Sequence, residues 1–105
     1  MKGYVYILTN KKHSTLYIGV TSSLVYRIQE HKQKILKGFT SLYNSNVCVY
    51  FEEYENMYDS IRREKQLKNW RRDWKISLIE EENPEWEDIL SEHNDVTRGP
   101  ESSSG

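Results

Sequence analysis

Two apolar runs, GYVYILT at residues 3–9 and TLYIGVT at residues 15–21, flank the polar stretch NKKHS, and the second leads directly into the helix-start signal TSSL. Both runs are rich in Tyr, Val, Ile and Thr, whose flat or branched side chains pack well on a pleated surface. They predict a β-hairpin closed by a polar loop. A helix follows, with Ser22 or Ser23 as the candidate cap, ending near Leu36, with Gly38 as its stop signal. NVCVYFEEY (46–54) reads as a third strand, and Asn56 opens a second helix that ends near Asn69. RRDWKISLIEE (71–81) reads as a third helix and PEWEDIL (84–90) as a short fourth that starts at Pro84. The order ββαβαα predicts an α+β fold, a small three-stranded antiparallel sheet flanked by helices.

A chain of 105 residues supports one domain with a modest core, placed at residues 1–92, with 93–105 expected as a disordered polar tail. Hydrophobic content is low at 36%, but Trp 3, Tyr 8 and Phe 2 supply bulk that disordered chains lack. The one cysteine, Cys48, excludes an internal disulfide and any multi-cysteine zinc site. It sits within VCVYF and reads as a buried, inert thiol. The opening MKGYVY lacks the apolar stretch of a signal peptide, and no run reaches membrane-spanning length, so a cytoplasmic protein is expected. The net charge of −1 hides an asymmetry. Residues 1–79 carry 14 Lys and Arg against 7 Asp and Glu, whereas 80–105 carry 9 acidic residues against Arg98 alone. A basic body suits a polyanionic partner, although Lys and Arg also simply solvate helices.

On a helical wheel, Leu24, Ile28 and Ile35 fall within about 40° of one another and define the buried stripe of the first helix. His31 lies inside that arc and Arg27 borders it. Either the Arg27 stem covers apolar surface while its head stays wet, or the head reaches a cleft between sheet and helix. The second helix repeats the departure. Met57 and Ile61 mark its expected inner face, and Glu64 falls in the same arc with Leu67 and Lys68 at its flanks. A carboxylate there must be paired, with Arg27, Arg63 or Lys68, or must hold a cation. The stretch RREKQLKNWRRDWK (62–75) carries seven basic residues with Trp70 and Trp74 interleaved. Arg62, Arg63, Lys68, Arg71, Arg72 and Lys75 are candidate phosphate contacts. An exposed Trp could stack on a base, but we read both as packing the last helices onto the sheet.

Together these residues resemble the GIY-YIG nuclease domain family. YVY (4–6) stands where the GIY element falls, with Tyr4 in place of its first Gly and Gly3 just before it. YIG (17–19) matches the second element, and YIGVTSSLVYRIQEH fits the family pattern Y-x-G-x-T-x-x-L-x-x-R-x-x-x-H, which includes Gly19, Thr21, Arg27 and His31. Glu64 matches the family's metal-binding glutamate. The resemblance covers roughly residues 3–80 and is to the small stand-alone branch, without the additional domains of larger members.

The resemblance implies a metal-dependent endonuclease acting on DNA phosphodiesters, in DNA repair or processing. Tyr6 and Tyr17 would face the scissile phosphate, with Tyr6 as general base or water-positioning group. A phenol titrates near pH 10, so a nearby cation would have to lower it. Arg27 would stabilise charge on the transferring phosphoryl group, Glu64 would hold Mg²⁺ or Mn²⁺, and His31 would relay a proton or bond Tyr17. DNA is the expected partner, with no membrane contact, and a protein partner could supply substrate specificity. Two other functions compete: a non-catalytic nucleic-acid-binding module on the same scaffold, or a protein-interaction domain using the acidic segment at 80–95.

Overall fold

The computed structural model describes residues 1–10, 13–36 and 47–90, with the backbone course alone for 31–36. Strands β1 (Gly3–Thr9), β2 (Leu16–Thr21) and β3 (Val47–Tyr54) alternate with helices α1 (Leu24–Leu36), α2 (Met57–Asn69) and α3 (Arg72–Glu82) in the predicted order. The sheet is antiparallel with strand order β2-β1-β3. β1 is therefore central and covered on both faces, which explains why its sequence is apolar almost throughout rather than alternating.

Val5 and Ile7 point to one side of the sheet and join Ile18, Val49, Tyr50, Leu67 and Ile79 beneath α2 and α3. Tyr6 and Leu8 point to the other and join Leu24, Ile28 and Cys48 beneath α1. Leu24 and Ile28 are buried as predicted, and so is the Cys48 thiol. A bulge between Ile7 and Leu8, opposite β3, shifts the pairing by one residue.

Local polar bonds set the element ends. The Asn10 side chain accepts from Ser14 N–H at 2.8 Å and closes the hairpin loop. Thr21 Oγ1 accepts from Ser23 N–H at 3.1 Å, and the Ser23 carbonyl accepts from Arg27 N–H at 3.0 Å to begin α1. Thr21 thus turns the chain from strand to helix. Asn56 caps α2, its side chain accepting from Asp59 N–H at 2.8 Å.

Two expectations are corrected. The inner face of α2 is built on Ser60 and Leu67, and Ile61 stays 38% exposed. Gly3 is the reason: a Cβ there would collide with the Ser60 hydroxyl and sit 2.9 Å from Met57 Sδ, so helix and strand meet at a glycine–serine contact. Residues 84–90 form turns rather than a fourth helix. Their polar groups are taken by β3 and Asn83. Asn83 Nδ2 donates to the Val49 and Glu87 carbonyls, Asn83 Oδ1 accepts from Glu87 N–H, and Ile89 N–H donates to the Cys48 carbonyl at 2.9 Å. Trp86 adopts φ 56°, outside any right-handed helix. This segment covers the outer edge of β3. Gly38 and the tail at 93–105 lie outside the described residues.

Candidate functional site

The hairpin sets the site. Tyr6 pairs across the strands with Gly19, and Tyr17, two residues before Gly19, shares that sheet face. A Cβ on Gly19 would collide with the Tyr6 hydroxyl and lie 2.5 Å from its Cζ, so only glycine lets the Tyr6 ring lie across β2. The Tyr6 and Tyr17 rings are 6.4 Å apart, tilted by 42°.

From α1 on the same face, the Arg27 guanidinium donates to the Tyr6 hydroxyl and pairs with Glu30 Oε1 at 2.9 Å. Glu30 sits one turn along the helix, a spacing visible in the sequence but not weighed there. Its carboxylate first, then the Tyr6 hydroxyl, raises the Arg27 pKa further, so the guanidinium is charged at any working pH. Arg27 Nε is shielded from solvent and meets no acceptor among the described residues, while the side chain as a whole stays 41% exposed. The head does reach the cleft.

Tyr6 lies deeper than Tyr17. It is 1% exposed, against 45% for Tyr17. Burial pushes its phenol up, and the hydrogen bond and charge of Arg27 offset that only in part. The solvent-facing groups are therefore Arg27 and Tyr17, with Tyr6 beneath them holding the guanidinium. His31 lies on α1, but its side chain lies outside the described residues.

Glu64 approaches from the other face of the sheet, on α2. Its side chain is 12% exposed and its Oε2 pairs with Lys68 Nζ at 2.7 Å, one of the partners the sequence allowed. The hydrogen bond that Lys68 donates to Glu64 raises the Lys68 pKa most, and the Tyr17 phenol adds to it, so Lys68 lies within electrostatic reach of Tyr17 at the β2 edge. The structure thus joins Tyr6, Tyr17 and Arg27 directly and links Glu64 to them through Lys68.

As a metal donor set, Glu64 stands as a single carboxylate, and among the described residues no three His, Cys, Asp or Glu gather as ligands. That suits a hard cation that keeps most of its waters, such as Mg²⁺, and does not suit zinc. Any such cation competes with Lys68 for the carboxylate.

The basic stretch divides. Arg63 forms a two-pronged pair with Glu52, at 2.9 and 3.0 Å, and the Tyr50 and Tyr54 hydroxyls donate to the same carboxylate at 2.5 and 2.6 Å. This removes Arg63 from the candidate phosphate contacts. This cluster is not among the sequence expectations, although strand alternation places Tyr50, Glu52 and Tyr54 on one face. Burial opposes ionisation of Glu52, but Arg63 and the two phenols outweigh it and hold the carboxyl below its usual range. Arg62 lies over the Tyr58 ring at 5.7 Å, Arg71 pairs with Asp73 at 2.9 Å, and Arg72 donates to the His13 carbonyl at 3.0 Å. Lys75 is half-buried on α3. Trp70 packs on the core as expected, but Trp74 is 49% exposed.

The model of the GIY-YIG catalytic domain family matches residues 2–77. A UPF0213 protein of Staphylococcus haemolyticus is 35% identical over 80 residues, 76% of this chain and 96% of that protein. A UPF0213 protein of Clostridium perfringens is 35% identical over 91 residues, 87% of this chain and 97% of that protein. The solution NMR structure of a UPF0213 protein from Bacillus halodurans superposes with TM-score 0.54 at 26% identity, covering 87% of this chain and 98% of that one. Among the described residues, no helix is long and apolar enough to cross a membrane.

Proposed function

This chain belongs to the GIY-YIG catalytic domain family, which suggests nuclease-type activity, and we propose that it is a metal-dependent endonuclease hydrolysing DNA phosphodiesters, working in the cytoplasm in DNA repair or processing. The observation that carries this reading is the charged, half-exposed Arg27 head, fixed by Tyr6 and Glu30 beside the exposed Tyr17.

In the reaction a water oxygen attacks phosphorus and gives up a proton to bulk water, one phosphorus–oxygen ester bond breaks, and the departing sugar oxygen takes up a proton from bulk water. Arg27 donates hydrogen bonds to the non-bridging oxygens as negative charge builds on them, and it needs little reorganisation because it is already held. Tyr17 orients the attacking water through its hydroxyl. Tyr6 is a positioning residue that aims Arg27. Glu64 would hold Mg²⁺ or Mn²⁺ once Lys68 swings to the arriving phosphate, and the cation would polarise the phosphodiester. A protein partner would supply substrate selectivity.

The test is cleavage of branched, nicked and duplex DNA with Mg²⁺ or Mn²⁺. Activity that disappears in both Arg27→Ala and Glu64→Gln supports the reading. Absence of cleavage of every substrate by the wild type removes it. One observation favours a second reading, a non-catalytic nucleic-acid-binding module: Glu64 is already neutralised by Lys68. That reading requires tight DNA binding that is the same with and without Mg²⁺, and no cleavage of any substrate.

A further inference from the structure

The corner between α2 and α3 holds an aromatic that folding does not account for. Trp74 keeps 49% of its surface in water, although a Trp is among the side chains with most to gain from burial. Its position is held from several sides. The Trp70 ring meets it edge-on, centroids 5.9 Å apart at 86°, and the Arg71 guanidinium carbon lies 5.4 Å from its centroid. Arg71 is tied down in turn by Asp73 Oδ1 and Oδ2, at 3.2 and 2.9 Å. Trp74 N–H bonds the Arg71 carbonyl at 3.1 Å.

The charged side chains at the corner, Lys68, Arg71 and Arg72, are basic, with Glu64 paired to Lys68 and Asp73 to Arg71. Lys68 is 53% exposed and lies one turn before the corner. Arg72 is exposed and bonds a neutral carbonyl, that of His13, so it keeps its full charge. Arg71, by contrast, is compensated by Asp73 and serves the ring more than a phosphate. The corner also continues the candidate site, since Lys68 pairs with Glu64 and lies within electrostatic reach of Tyr17.

We propose that Trp74, steadied by Arg71 and Trp70, is a stacking platform for an unpaired base of DNA whose backbone runs over Lys68 and Arg72 towards Arg27. This rests on the nucleic-acid reading above and narrows it to substrates with a single-stranded segment beside the cleaved bond. A fixed aromatic face suits any base and loses little side-chain freedom on binding, and flanking cations supply the salt-dependent part of the affinity. A duplex keeps its base faces stacked along its whole length, with one open face at each end, and gains far less from the ring.

The experiment is fluorescence anisotropy in EDTA, which stops cleavage, with labelled oligothymidine of about 15 nucleotides and a blunt duplex as probes. Trp74→Ala is expected to weaken oligothymidine binding by about tenfold and duplex binding by less than twofold, with Trp74→Phe close to wild type. In the Trp70→Phe/Trp86→Phe variant, where Trp74 is the remaining tryptophan, oligothymidine should quench the emission. Equal losses on both probes, no loss on either, or no quenching overturns the platform. A protein that binds oligothymidine through Trp74 yet cleaves nothing keeps the platform and removes the nuclease reading. Cleavage and binding unchanged in Trp74→Ala does the reverse.

Discussion

At the scale of single residues, the site depends on a glycine as much as on its charged groups. Gly19→Ala would drive a methyl into the Tyr6 ring, displacing the hydroxyl that aims Arg27. We expect it to lower kcat by about tenfold or more while the protein stays folded, checked by cleavage rate beside circular dichroism. Arg27→Ala should cost about 10²–10³ in rate and leave DNA affinity within a few-fold, because its task is confined to the transition state. Tyr6→Phe separates aiming from proton transfer. Burial holds the Tyr6 phenol protonated well past neutrality, so this variant should lower the rate equally at pH 7 and pH 9. A loss that grows with pH would instead make Tyr6 the base. The YIG spacing made Gly19, Tyr17 and Arg27 legible in the sequence. The depth at which Tyr6 lies was not, because burial is set by what α1 places over the strand.

At the scale of elements, α2 is held to β3 by the Glu52–Arg63–Tyr50–Tyr54 cluster. Glu52 has a lowered folded pKa, so its contribution to stability is full above about pH 4.5 and is lost as pH falls through the lowered value. Tyr54, pushed up from 10.0 to about 12 by burial and by its bond to Glu52, binds its proton more tightly when folded. Its contribution is full below about pH 10 and is lost as pH rises towards 12, and Tyr50 shifts in the same direction. Thermal melts across pH should therefore fall at both ends, and Glu52→Gln should flatten the acid limb while costing about 2 kcal/mol near neutrality. The segment after α3 makes a second case. Asn83→Ala removes the bonds to Val49 and Glu87, and faster hydrogen exchange at the Ile89 amide is the expected readout. Pro84 and the acidic run after it resemble a helix start. The competing pull came from the outer edge of β3, a partner distant in sequence.

At the scale of the whole molecule, part of the basic body expected from the charge count is spent internally. Glu52 takes Arg63, Glu30 takes Arg27, Asp73 takes Arg71 and Glu64 takes Lys68. Reversing Arg71 and Arg72 together should therefore reduce the log–log salt slope of DNA binding by nearer one contact than two, about 0.9 rather than twice that. A full two-contact loss would mean that Asp73 releases Arg71 on binding. Glu64→Gln frees Lys68, so it should strengthen metal-free DNA binding even as it removes cleavage, which anisotropy in EDTA would detect.

Alternation, helical period, caps and the YIG spacing are local quantities, so the sequence by itself determined the order of elements, the antiparallel hairpin, the family and the identities of Tyr6, Tyr17, Arg27 and Glu64. Tertiary structure alone decided which of those groups face water, that Lys68 rather than Arg27 pairs with Glu64, that Ser60 rather than Ile61 meets the sheet, and that Trp74 is left outside. Each of these follows from how closely two elements approach, and that distance is set by residues such as Gly3 and Gly19, far along the chain from the side chains they admit.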